Sequence, residues 1–239
     1  MLNKALIEDI YPLSPMQEGM LFEKLYDADS PAYIVQMVYR FGGLWRAECF
    51  EQSWRLLSQR HAALRTAFIH EGVDRPVQVV LKTRPPEYTV CDLCHLDAAA
   101  QVAAVERYKS ENIARGFDLQ QEVLMRVAVF RLAQDQHIFV WSYSHLLIDG
   151  WSFGILQAEF LQIYQSLSRG QQPQLPPLVP YKEYIRWLQR QDEKAASDFW
   201  RSYLAGYENL ATLPKAGGLA ANAGYDLQKF DLSIDESQT

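Results

Sequence analysis

Residues 123–152 read VLMRVAVFRLAQDQHIFVWSYSHLLIDGWS. Val123 to Leu132 and Ile138 to Tyr143 are nearly continuous apolar runs, parted by the polar Gln134-Asp135-Gln136. Such runs predict a hairpin whose strands are buried on both faces, so helices or another sheet layer must cover them. Immediately afterwards Ser152 is placed to cap a helix with apolar positions at Leu156, Phe160, Ile163, Tyr164 and Leu167, ending at Gly170. A strand therefore ends near Ser144 and a helix begins near Ser152, with His145, Asp149 and Gly150 between them.

Upstream, Ser14 and two prolines precede an apolar series, so a short helix starts near Pro15. Tyr33 to Phe41 is β-branched and aromatic, hence a strand. Phe50, Trp54, Leu57, His61 and Leu64 recur at steps of four and three, the signature of an amphipathic helix, and Arg60 to Phe68 runs off its end into a strand. Asp97 to Arg115 reads as another helix, stopped by Gly116. Downstream, four of the chain's eleven prolines lie within 173–180, which makes an extended connector. Aromatic helices follow around Tyr181 to Gln191 and Ala195 to Leu204. Residues 214–224 are small and flexible in character, Phe230, Leu232 and Ile234 alternate as in a strand, and Asp235 to Thr239 resemble a helix start. Strands interleaved with helices give an α/β fold.

Composition narrows the function. The 239 residues are 49% hydrophobic and 22% charged, the profile of a packed soluble domain. Charges sum to 23 − 29 = −6 and no basic run supplies a phosphate-neutralising stripe, so neither nucleic acid nor an anionic membrane is an expected partner. The N-terminus lacks a basic region followed by an apolar stretch, which points to a cytoplasmic setting, and three cysteines argue for free thiols over a disulfide framework. The most apolar region, His137 to Tyr164, is interrupted by His145, Asp149, Gly150 and Glu159, so it is a core and not a membrane span.

Three patterns could carry chemistry. Cys91-Asp92-Leu93-Cys94-His95 matches the Cys-x-x-Cys-His haem string, but no export signal accompanies it and only Cys49 remains as a further thiol for zinc. A strand-to-helix turn with incidental thiols explains it better. Gly150-Trp151-Ser152-Phe153-Gly154 matches the Gly-x-Ser-x-Gly elbow of α/β-hydrolases, in which the triad runs Ser, acid, His. All five histidines precede Ser152, so that order is impossible here. His145, finally, stands at the end of a doubly buried strand, where ligands collect in layered α/β proteins. It is either a core histidine satisfied by backbone or a group that moves a proton near neutral pH. Asp149 could orient the loop, by pairing with an Arg, or the ring. Gly150 would let a substrate approach the backbone.

Taken together, Ser144 to Ser152 resembles the His-His-x-x-x-Asp-Gly-Trp-Ser motif of nonribosomal peptide synthetase condensation domains, in the chloramphenicol-acetyltransferase-like superfamily. Tyr11 to Phe22, Arg60 to Phe68 and Tyr181 to Trp187 resemble three further motifs of that family, in the family's order. The resemblance implies amide formation between two carrier-bound thioesters, the amine of the downstream aminoacyl group attacking the upstream carbonyl. It assigns His145 as catalytic base or amine-positioning residue and makes Asp149 structural, paired with Arg60 with Arg65 nearby. It also implies that Trp151 and Ser152 fix the start of the following helix. No cofactor of the chain's own is implied, since substrates travel on phosphopantetheine arms. The implied partners are donor and acceptor peptidyl carrier proteins, a C-terminal lobe of the same domain and an adjacent adenylation domain. The implied fold is a two-layer α/β sandwich with a mixed sheet covered by helices, organised as the N-terminal lobe over 1–170, a proline-rich connector with helices and a flexible linker over 171–224, and the start of the C-terminal lobe over 225–239. Two departures stand out: the motif's first His is Ser144, and the chain covers one lobe of a two-lobe architecture. The isolated lobe is therefore expected to be inactive, because the family's site lies in a tunnel between lobes. The alternatives are a free-standing acetyltransferase-like acyltransferase, disfavoured by the 94 residues that follow His145, or a degenerate carrier-binding module.

Overall fold

The computed structural model of the chain describes residues 3–27 and 30–208. Its elements are β1 (Ile7–Pro12), α1 (Pro15–Tyr26), β2 (Ile34–Gly42), α2 (Ala47–Arg60), β3 (Thr66–Ile69), β4 (Val77–Leu81), β5 (Glu87–Asp92), α3 (Ala98–Arg115), β6 (Met125–Ala133), β7 (Gln136–Ser144), α4 (Gly150–Ser168), α5 (Tyr181–Leu188) and α6 (Glu193–Tyr203). The expectations for 214–239 lie outside the described residues. The chain divides into two compact units, Met1–Gln191 and Asp192–Thr239, so the proline connector and α5 lie within the first.

The predicted hairpin is β6 and β7, paired antiparallel from Met125 opposite Tyr143 to Ala133 opposite Gln136. It forms the centre of a four-stranded sheet of order β2-β7-β6-β5, in which β5 alone runs parallel to its neighbour. That sheet is mixed, as expected. A second sheet, antiparallel and of order β1-β4-β3, was not legible in the sequence. Its strands are four to six residues long, and β1 pairs with β4 across about 70 residues of chain, a contact that no local pattern encodes.

Alternation along the hairpin explains its two apolar faces. Val127, Val129, Phe139, Trp141 and Tyr143 face α2 and α4, where the Trp54 ring packs tilted with its centroid 4.8 Å from that of Trp141 and 4.5 Å from that of Phe160. Ala128, Phe130, Ile138 and Val140 face α3, which contributes Val105 and Tyr108. Helices thus cover both faces of the mixed sheet. Local signals set the helix ends. Ser14 and Gln17 form a reciprocal capping box at the start of α1, and Gly116, with φ of 63°, ends α3 in a conformation that side chains disfavour. No helix among the described residues is long and apolar enough to cross a membrane.

Within the second unit, α6 is capped by Asp192, whose side chain accepts from the amide of Ala195 at 2.8 Å. Its exposed aromatic residues pack together, Phe199 stacked on Tyr203 and Trp200 edge-on to both.

Candidate active site

β7 delivers Ser144 to the sheet's end, and the chain then turns sharply. The Ser144 amide donates to Leu124 O at 3.0 Å, and the next amide, of His145, donates to Tyr33 O at 2.8 Å. Leu147 N–H returns to Ser144 O at 3.0 Å, closing a tight turn. His145 Nδ1 lies 2.7 Å from Ile148 O. A carbonyl can only accept, so Nδ1 carries the proton and Nε2 keeps its lone pair in the neutral ring. Nε2 has no hydrogen-bond partner among the described residues.

This loop forms one wall of a cleft of about 420 Å³, whose other lining residues include Met16, Gln17, Gln78, Ser152, Tyr181 and Tyr184. A second cavity of about 320 Å³ adjoins it, sharing Ala63, Leu147, Ser152 and Tyr181. Gln17, buried in the first, joins α1 to β4, to α5 and to the His145 loop. Its Nε2 donates to Leu146 O at 2.9 Å and to Gln78 Oε1 at 3.1 Å, while its Oε1 accepts from Ser14 N and from Tyr181 OH. Burial pushes the Tyr181 phenol up, which keeps the hydroxyl a donor. Sequence reasoning placed Gln17 in a motif without a role. The signal available was Ser14-x-x-Gln17, a capping-box pattern, which says nothing of the bonds Nε2 makes.

Three expectations need correction. Asp149 does not pair with Arg60 or Arg65. It is the N-cap of α4, its Oδ1 accepting from Ser152 N at 2.7 Å. Burial raises its pKa, but hydrogen bonds from Ser152 outweigh this and hold the carboxyl below the usual aspartate range. Arg60 instead meets Glu159 through Nε and Nη2 at 2.9 and 3.1 Å and donates to Pro176 O at 2.6 Å. The reason is reach, since Glu159 lies ten residues beyond Asp149, about 15 Å along the helix. His61 Nε2 is 2.6 Å from the same carboxylate, and these partners hold the Glu159 carboxyl down against the opposing effect of burial. Arg65 is turned inward by the 3₁₀ turn Ala62–Arg65 and donates to Ser58 O, Leu81 O and Glu8.

Ser152, expected as the cap of α4, is instead the residue whose amide is capped. Trp151, expected to fix the helix start, is 89% exposed and so cannot anchor it by packing. Gly150, also in the first turn of α4, has open space around the position a Cβ would take. Ser144 is 3% exposed and borders a void of about 10 Å³, the size of a single water, shared with Tyr33, Phe117, Leu119 and Leu146. The Cys91–His95 segment runs from the last two residues of β5 into the turn that leads to α3, with Cys94 exposed. Among the described residues no group of three or more His, Cys, Asp or Glu side chains is placed to hold a metal ion.

A model of the family described as "Condensation domain" matches residues 7–239. Surfactin synthase subunit 3 of Bacillus subtilis (strain 168) is 39% identical over 237 residues, covering 99% of this chain and 18% of that protein. Gramicidin S synthase 2 of Brevibacillus brevis is 38% identical over 237 residues, covering 99% of this chain and 5% of its own length. The chain thus spans only a small part of these curated relatives. Among solved structures, the starter condensation domain of rhizomide synthetase RzmA superposes with a TM-score of 0.74 at 20% identity, over 84% of this chain and 49% of that one. The fold is shared, and the chain spans about half the length of that solved domain.

Proposed function

This chain belongs to the condensation-domain family, and on that premise we propose that it supplies the His-bearing lobe of an amide-forming acyltransferase in nonribosomal peptide synthesis. The acceptor amine attacks the donor's thioester carbonyl, a C–N bond forms and the C–S bond breaks. The amine proton passes to His145 Nε2, and the departing thiolate takes up a proton in turn. The observation that carries this reading is the Nδ1–H bond to Ile148 O, which presents Nε2 as an acceptor beside the cleft. An α-amino group titrates near pH 8, so part of it is already neutral and orienting it contributes alongside proton removal.

The substrates are aminoacyl or peptidyl groups on the phosphopantetheine arms of donor and acceptor carrier proteins, delivered in concert with an adenylation domain. A second lobe supplies the facing wall of the cleft, so this lobe alone is inactive. Asp149, Gly150 and Ser152 set the loop and helix start, while Arg60 and Arg65 brace α2 and the strand after it. The test is His145→Ala and His145→Gln in a complete two-lobe domain, with peptidyl thioester as the product measured. A loss of about 10²- to 10⁴-fold is expected for a general base. Rates within twofold of the parent would remove His145 from the mechanism.

A further inference from the structure

Among the described residues Tyr33 is the one non-glycine with a left-handed backbone, at φ of 63°. It is the third residue of the turn from Pro31 to Ile34, closed by Ile34 N–H donating to Pro31 O at 3.1 Å. Positive φ at that turn position suits Gly or Asn, and for a residue with a Cβ it is disfavoured by about five- to thirtyfold. Such strain persists only where the surroundings over-determine it, and it gathers at functional sites.

The surroundings here are the His145 loop. Ile34 stands opposite Ser144 as the last pair of the β2–β7 ladder. The Tyr33 carbonyl then takes the His145 amide, one hydrogen bond beyond that pair, and past it the chain folds into the Ser144–Leu147 turn. Residue 33 must turn its carbonyl toward His145 just where the strand gives way to the preceding turn.

We propose that the left-handed backbone of Tyr33 is a clamp that positions His145: it ends the β2–β7 ladder at the His145 amide and so fixes where the imidazole enters the cleft. Tyr33 is a positioning residue acting through its carbonyl, whatever its side chain. Its expected effect on rate rests on the reading of His145 given above, whereas its effect on the loop does not.

The test compares Tyr33→Gly, Tyr33→Asn, Tyr33→Ala and Tyr33→Val in a complete two-lobe domain, reading hydrogen exchange at the His145 amide and the kinetics of peptide-bond formation. Protection should follow the ease of positive φ, with Gly and Asn at or above the parent, Ala about fivefold less protected than Gly, and Val lowest. kcat should follow the same order while KM moves little. Gly and Ala both lack the ring, so their difference isolates the backbone even if Val fails to fold. Equal loss of protection in Gly and Ala, or exchange unchanged throughout, would overturn the clamp. Protection that follows the order while the rate does not would uphold the clamp and count against His145 as the acting group.

Discussion

Gly150 illustrates how residue identity separates from fold. It occupies the first turn of α4 with no left-handed backbone, and a Cβ there would meet nothing within 4 Å. Neither conformation nor packing demands glycine, and alanine is the better helix former. Gly150→Ala is therefore expected to leave the denaturation midpoint unchanged or slightly raised. If the glycine serves substrate approach, the variant loses rate or raises KM in a two-lobe assay. Unchanged kinetics would show that no substrate passes close to this backbone. His145 was legible in the sequence as a strand-end imidazole. Its proton arrangement was not, because the tautomer depends on Ile148 O, which only the folded turn brings to 2.7 Å.

Among the elements, α4 carries the clearest difference between expectation and outcome. The sequence offers Asp149 and Ser152 as neighbouring cap residues, and both have the right chemistry. The chain chooses Asp149, three residues earlier, because the turn after β7 ends there and leaves the first amides of α4 facing its carboxylate. Asp149→Ala should cost about 1 kcal/mol of stability, and Asp149→Asn, which keeps the accepting oxygen, should recover most of it. Had Asp149 been an ion-pair partner of Arg60, Asn would be as damaging as Ala, so chemical denaturation of the two variants separates the roles. The helices and the β6–β7 hairpin were readable because their apolar periods are long. β1 and β4 were not, because short strands paired at long range carry little local signal.

At the scale of the whole molecule, the Arg60–Glu159–His61 cluster joins the end of α2 to the middle of α4 beneath the proline connector. Glu159 has its carboxyl pKa held below the usual value, so its contribution to stability is complete above about pH 4.5 and is lost as pH falls through the lower folded value. Glu159→Gln should flatten that acid limb in thermal melts taken from pH 3 to 6. It should also cost about 3 kcal/mol at neutral pH by leaving Arg60 poorly compensated. A full acid slope in the variant would assign the limb to other carboxylates. The sequence alone determined the α/β class, the burial of the hairpin on both faces and the placing of His145 at a strand end, since apolar periodicity and turn chemistry act over a few residues. Only the tertiary structure decided the second sheet, the partner of Arg60, the cap of α4 and the clamp at Tyr33. Each of these joins residues far apart in the chain or depends on the direction of a single backbone group, and distance along a helix or the angle of a carbonyl is settled when the elements pack.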